Sequence, residues 1–425
     1  MAGLTREATR NPRSLRVASA MDSVARDLWK LVYTGLPKGQ MLQAIGIQRY
    51  LGNAGSVQSA TGPISEKKSF TMNRLDRRVA VAPMMDWTDR HCRFFLRGFS
   101  PDVLLYTEMI TAAAIVRGDA RRLLAFDPEE HPVALQLGGS EPRELAAAAR
   151  AGEAEGYDEI NLNCGCPSDR VASGAFGACL MREPARVADC VAAMRAVVKI
   201  PVTVKMRIGV VSGTREQARD ALSRFDEPDF EALHGFVSRV REAGCEVAIV
   251  HARKAVLGGL SPKDNRQIPP LRYDVVRRLK AAFGELPVIV NGGLRDAAGV
   301  LDALTWCDGV MLGREAYHRP WVLAELHRVL GGSGVSPASS REALLERMAV
   351  YAQRRLAQGD RLSAITRHML GLYAGEPGAR DYRRLLSEGA RAAGAGPELI
   401  REAAAAAHAG RRLERAGAAA GASSG

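Results

Sequence analysis

Between Arg78 and Arg314 one pattern recurs eight times: a short apolar, β-branched run, a polar or glycine turn, then a stretch of helical character. The runs are Val79–Ala82, Val103–Tyr106, Val133–Leu137, Glu159–Leu162, Val202–Lys205, Val247–Val250, Val288–Val290 and Gly309–Leu312. Near-continuous apolar strands alternating with helices indicate parallel strands buried on both faces. Eight such units in roughly 235 residues are the size of a (β/α)8, or TIM, barrel. A doubly wound open sheet is the alternative. It is disfavoured because no Gly-x-Gly-x-x-Gly follows the first run and eight strands close naturally.

The ends of the runs carry polar groups: Pro83-Met84, Thr107-Glu108, Gln136, Asn163, Lys205 with Arg207, His251 with Arg253, Asn291, and Gly313-Arg314. In such barrels the reactive face lies at the C-terminal ends of the strands. Any one of these residues alone could be a cap or a satisfied core group, but packing does not explain so many converging on one rim.

After the fourth run comes Asn161-Leu-Asn-Cys-Gly-Cys-Pro-Ser168, followed by the small-residue stretch Val171–Ala178. A thiol on a loop beside a strand end can donate a proton and then be covered. The competing reading of Cys166 is a small buried hydrophobe. Cys164 and Cys166 lack the second pair or histidine cluster that a four-ligand metal site needs, so no metal is expected. The chain's seven cysteines form no disulfide-like framework, which points to a reducing cytoplasm. No apolar run approaches the roughly 20 residues that cross a membrane.

The formal charge of +12 points to a polyanionic partner, and much of the excess sits at the two ends. Residues 1–71 carry ten Lys/Arg against four Asp/Glu, and 341–415 carry fourteen Arg against nine Asp/Glu. Four divisions follow. Residues 1–73 read as a non-catalytic, disordered extension. The acid-poor start with Arg6, Arg10, Arg13 and Arg16 suits a transit peptide, but Met72 equally suits a true start. Residues 74–332 form the barrel. Beyond Gly331–Pro337 the helical stretches Arg341–Gln358 and Arg361–Ala374 define a small all-helical domain over 336–402. Residues 403–425, rich in Ala and Gly, are expected to be a flexible tail.

Two loops suit a phosphate: Asn291-Gly-Gly293 after the seventh run and Gly313-Arg314 after the eighth. Either also reads as ordinary turn glycines. Lys205, Gln136 and His251 stand where a flat polar ring system would lie across the barrel mouth. An ammonium beside a flavin favours the reduced ring, so FMN fits better than a dinucleotide. The other reading of Lys205 is a strand-end lysine in an ion pair.

These residues resemble a known family. Ala82-Pro-Met-Met-Asp-Trp-Thr-Asp89, Leu105-Tyr-Thr-Glu-Met109, Gln136-Leu-Gly-Gly139, Asn161–Arg170 and His251-Ala-Arg-Lys254 are similar to the tRNA-dihydrouridine synthases. Leu260-Ser-Pro-Lys-Asp-Asn-Arg266 and Tyr373-Ala-Gly-Glu-Pro-Gly-Ala-Arg380 resemble the A-type subfamily. The resemblance spans about residues 76–390. It implies that NADPH reduces tightly bound FMN, which passes hydride to C6 of D-loop uridines 20 and 20a of tRNA while a cysteine protonates C5.

Carried over by motif, Cys166 is the proton donor, and Asn163 is the amide beside the flipped base. Pro83, Met84, Met85, Gln136, Lys205, His251, Asn291, Gly292, Gly293, Gly313 and Arg314 contact FMN, and Lys263, Arg266, Arg380 and Arg383 hold tRNA. Cys164 departs from the usual aliphatic residue, leaving a second thiol near the site. The enzyme so implied is a cytoplasmic monomer, with tRNA and NADPH as partners and neither DNA nor membrane. A thiol is mostly protonated at neutral pH, as a general acid must be. The uracil must leave its stack to be reached, which requires a salt-sensitive grip on RNA phosphates. Two other readings stay open: an FMN barrel oxidoreductase acting on a free pyrimidine, similar to dihydroorotate dehydrogenase, and a tRNA-binding protein without catalysis.

Overall fold

The structure, a computed structural model, describes residues 75–167, 176–258, 260–332 and 339–422, without the side chains of 215, 217 and 411–422. The expected N-terminal extension, residues 168–175 of the small-residue loop and linker residues 333–338 lie outside the described residues.

Eight parallel strands close into a barrel. They are β1 (Val79–Val81), β2 (Leu104–Tyr106), β3 (Val133–Gly138), β4 (Glu159–Cys164), β5 (Val202–Arg207), β6 (Ala248–His251), β7 (Val288–Asn291) and β8 (Gly309–Leu312). β1 pairs with both β2 and β8, and each other strand pairs with its neighbours in sequence. The (β/α)8 barrel read from the eight apolar runs is the observed fold. A further parallel pair, Val210–Ser212 with Ala255–Leu257, rises from the ends of β5 and β6. It packs on Ala218, Leu222 and Leu260, and its strands are too short to show a period in sequence.

The barrel interior divides into two halves. One is apolar, built from Ala80, Leu104, Ala134, Val247, Ile249, Ile289 and Met311. The other, contributed by β3, β4 and β5, is polar: Gln136, Glu159, Asn161 and Thr203 are all buried there. Inward-facing residues alternate along a strand, so Glu159, Asn161 and Asn163 share one face, and Ile160, Leu162 and Cys164 turn out toward the helices.

After the barrel come helices Arg341–Leu356, Leu362–Thr366, Ala379–Glu388 and Glu398–Ala422. The first docks on helix Arg90–Arg97, where Tyr351 stacks on Phe94 with ring centroids 3.9 Å apart. Arg347 lies over the same ring and donates to the Phe94 carbonyl at 2.9 Å. Where a flexible tail was expected from residue 403, helix Glu398–Ala422 continues through residues 403–422. Alanine is the strongest helix former, and glycine lets backbones approach closely. A β-carbon at Gly410 would lie 2.6 Å from the Gly378 Cα, and Ala403 and Ala407 are fully buried. Small residues here serve a close helix crossing rather than a frayed end.

Candidate active site

Strand register brings the predicted residues together. Gln136 pairs with Asn161, Asn163 with Lys205, Arg207 with His251, and His251 with Asn291. Lys205 Nζ donates to Asn291 Oδ1 at 3.0 Å, and Asn291 Nδ2 donates to the Met311 carbonyl at 2.7 Å. The ring of His251 rests against Gly292, where a β-carbon would come within 2.6 Å of Cδ2. Gly292 and Gly293 have φ of 108° and 78°, which glycine alone adopts readily. Two consecutive left-handed residues can turn successive backbone amides toward one anion.

On the β1 side, the Met84 carbonyl accepts from Trp87 and Thr88 N–H, and Met84 N–H donates to Thr88 Oγ1, so Pro83-Met84-Met85 sits in a tight turn. The Met84 sulfur lies 3.9 Å from where a Gly313 β-carbon would be, so the loops after β1 and β8 meet. Met85 stays 55% exposed, an apolar side chain offered to solvent. The helix opening at Arg314 is only five residues long, Arg314–His318, so helix field contributes little to a phosphate site there.

The two thiols of the Asn161–Ser168 segment part company. Cys164 is fully buried outside the barrel among Cys190, Leu162 and Met206, and burial pushes its thiol well above the ordinary range. Cys166 sits half-buried at the mouth. Its N–H and that of Gly165 donate to Asn163 Oδ1 at 3.0 and 3.1 Å, and its carbonyl accepts from Ala178 N–H at 2.9 Å. The sulfur lies in the electrostatic field of Lys205, Arg207 and Arg266.

Those cations crowd one another. Burial first, then Arg207, pushes Lys205 down to about 7. Burial, with Arg266 and Arg253 adding to it, pushes Arg207 down to about 9. His251 falls well below its ordinary value through burial and the neighbouring Arg207 and Lys205, so its imidazole is neutral. Arg314 and Arg266 repel each other, and Arg314 also bears on Arg253. No carboxylate is paired with this group among the described residues, an arrangement that calls for an anion.

Arg207 received no role from the sequence. It is buried, donates to the carbonyls of Gly165, Lys254 and Asn265, and so ties the Cys166 loop to two neighbouring loops. Its signal was the alternation Thr203-x-Lys205-x-Arg207, a polar period of two in a strand otherwise apolar.

Of the predicted RNA contacts, Lys263 and Arg266 lie exposed beside the mouth in the turn at Asp264–Arg266, which Asn265 anchors through Val256 and Leu260. Arg380 and Arg383 are exposed on helix Ala379–Glu388, and no hydrogen bond or ion pair joins them to the mouth among the described residues.

The family description "Dihydrouridine synthase (Dus)" matches residues 80–409, which takes in the helical segment as well as the barrel. A tRNA-dihydrouridine(20/20a) synthase of Xanthomonas campestris pv. campestris is 54% identical over 323 residues, covering 76% of this chain and 91% of that protein. A protein of the same name from Pseudomonas aeruginosa is 54% identical over 313 residues, covering 74% and 90%. One from Vibrio vulnificus is 52% identical over 324 residues, covering 76% and 94%. By the extent of that match and the barrel that carries it, the chain belongs to the dihydrouridine synthase family.

Proposed function

We propose that this protein reduces the C5=C6 bond of uridines 20 and 20a in the D-loop of tRNA to 5,6-dihydrouridine, with NADPH as reductant and FMN as resident cofactor. The observation that carries the reading is the anchored Cys166 loop beside a group of cations at one barrel mouth, none of them paired with a carboxylate among the described residues. A mouth of this kind fits a phosphate-bearing ring and a polyanionic substrate together. Gly292, Gly293, Gly313 and Arg314 would hold the phosphate. Gln136, Lys205, His251 and Asn291 would meet the ring, with Pro83, Met84 and Met85 along its other side. When bound and reduced, FMN supplies the hydride that adds to C6 of uracil.

The chain's own groups do the rest. Cys166 Sγ–H delivers a proton to C5, so that one hydride and one proton together saturate the bond. The thiolate left behind faces Lys205, Arg207 and Arg266, whose charge stabilises it until it is reprotonated. Asn163 holds the loop by its Oδ1 and keeps an N–H to offer the extruded base.

Lys263, Arg266, Arg380 and Arg383 grip RNA phosphates, and the helical segment after residue 336 forms an RNA-binding domain. The match runs through that segment, which favours a tRNA substrate over a free pyrimidine. No helix among the described residues is long and apolar enough to cross a membrane, and we place the enzyme in the cytoplasm as a monomer acting on RNA rather than DNA. The test is to map dihydrouridine in total tRNA from cells lacking the gene. Loss at 20 and 20a with restoration by the purified yellow protein is expected; an unchanged map would overturn the proposal.

A further inference from the structure

From the floor of the barrel to its mouth runs an unbroken chain of buried side-chain hydrogen bonds. Arg77 Nη2 and Nε donate to Glu159 Oε2 at 2.6 and 3.1 Å, forming a buried ion pair. Thr203 Oγ1 donates to Glu159 Oε1 at 2.6 Å, as does Tyr106 OH at the same distance. Asn161 Nδ2 donates to Thr203 Oγ1 at 2.9 Å, and Gln136 Nε2 to Asn161 Oδ1 at 2.7 Å. Asn163 Nδ2 then donates to Gln136 Oε1 at 2.8 Å, leaving Asn163 Oδ1 to receive the Gly165 and Cys166 amides.

The direction of this chain is not free. A carboxylate only accepts, so Thr203 must spend its one hydroxyl hydrogen on Glu159. The Thr203 oxygen is then an acceptor, so Asn161 must present its NH2 there and its carbonyl to Gln136. The same constraint passes through Gln136 and orients Asn163 with its oxygen toward the loop. Reversal would aim an NH2 group at two backbone N–H groups, donor against donor.

We propose that Glu159 is a positioning residue. From the far end of the barrel it sets the polarity of three successive side-chain amides, and through them it holds the Cys166 loop in its reactive place. The proposal rests on the reading of Cys166 as proton donor. It also explains why one half of the barrel interior is polar, although nothing there touches a reacting atom.

The test is hydrogen exchange at the Gly165 and Cys166 amides in the flavin-loaded protein, comparing wild type with Thr203→Val and Thr203→Ser. Valine keeps the shape and removes the relay's hydroxyl; serine keeps the hydroxyl. Thr203→Val should speed exchange at both amides about tenfold, the loss expected for one buried hydrogen bond, while serine restores protection. Helix Glu227–Glu242 should exchange as in wild type, and uridine reduction should slow while NADPH oxidation does not. Glu159→Gln gives the same readout from the other end of the chain should the valine variant fail to fold. Unchanged exchange at the two amides, equal acceleration in helix Glu227–Glu242, or serine behaving as valine would each overturn the relay. A wild type that leaves tRNA uridine unreduced would instead count against the proposed activity, since the exchange data stand without it.

Discussion

Positive charge is placed differently in the barrel mouth and in the helical segment. At the mouth, Lys205, Arg207, Arg253, Arg266 and Arg314 press on one another without a paired carboxylate among the described residues. In the helical segment most arginines with described side chains are already spent. Arg341 pairs with Glu376, Arg347 with Glu129, Arg354 with Asp127, Arg355 with Asp360, Arg367 with Asp89 and Arg401 with Glu346. Three of those carboxylates, Asp89, Asp127 and Glu129, belong to the barrel portion, so those pairs fasten the segment down. A count of arginines therefore does not locate an anion-binding surface, whereas the presence or absence of partners does.

The sharpest test of the mouth is Cys166→Ala. If the cations there face the anion formed on that sulfur, removing the thiol should cut uridine reduction by about 10²–10⁴-fold, the usual range for a general acid. Flavin binding and NADPH oxidation should persist, as measured by absorbance and stopped-flow reduction. Wild-type dihydrouridine formation would remove Cys166 from the chemistry and leave the crowded cations to the phosphate, the ring and the RNA alone.

Asp89→Asn attacks the other side of the comparison. Burial alone would raise this carboxyl, but His368, the Cys92 N–H and Arg367 outweigh it and hold the carboxyl well below its ordinary value. A depressed carboxylate contributes stability above its unfolded pKa, near 3.9, that is lost as pH falls through the folded value. The variant should cost about 2–3 kcal/mol at pH 7, because Arg367 loses its carboxylate partner while asparagine can still cap the helix, and the gap from wild type should narrow below about pH 4. A pH-independent gap in thermal unfolding would mean that packing, not charge, docks the segment.

Lys205→Met probes the crowding with the opposite sign. In the cofactor-free protein a lysine held at about 7 binds fewer protons than the unfolded chain between there and 10.5. Stability therefore rises with pH across that window, and the strain is fully present below about pH 7. The methionine variant should be more stable than wild type at pH 6, by on the order of 1 kcal/mol after solvent screening, and should lose that upward slope. It should also bind FMN more weakly. A variant destabilised at pH 6 would show that Lys205 is satisfied rather than strained.

How much of this was legible in the sequence differs by kind of feature. The eight strands were readable because each is a short, largely apolar run bounded by turns, and even Glu159–Leu162, where polar and apolar residues alternate, keeps the strand period. The mouth residues were readable because a barrel puts every strand end on one rim. Glu159 and Arg207 were not assigned roles, since a polar residue inside a strand says nothing of its partners until register brings Thr203 beside Asn161. The helix beyond residue 403 was not legible in the sequence for a related reason. Alanine and glycine carry no hydrophobic signal, yet they are what a close crossing at Gly378 and Gly410 requires.

The smallest expected effect discriminates best between the two kinds of arginine. Arg380 and Arg383 stand exposed on helix Ala379–Glu388 with no ion-pair partner among the described residues, whereas Arg401 in the same segment grips Glu346 at 2.6 and 2.8 Å. An arginine that meets phosphate releases counterions, so Arg380→Ala and Arg383→Ala should each lower the slope of log affinity against log salt by about 1. Their affinity for tRNA should fall a few-fold at moderate salt. Arg401→Ala removes the same charge but leaves Glu346 unpaired, and it should leave the salt slope near wild type because its guanidinium was never available to RNA. Filter-binding titrations of the three variants across salt decide the matter. Equal slopes for all three would mean that the segment is read by RNA only through its net charge, and the distinction between paired and unpaired arginines would fail.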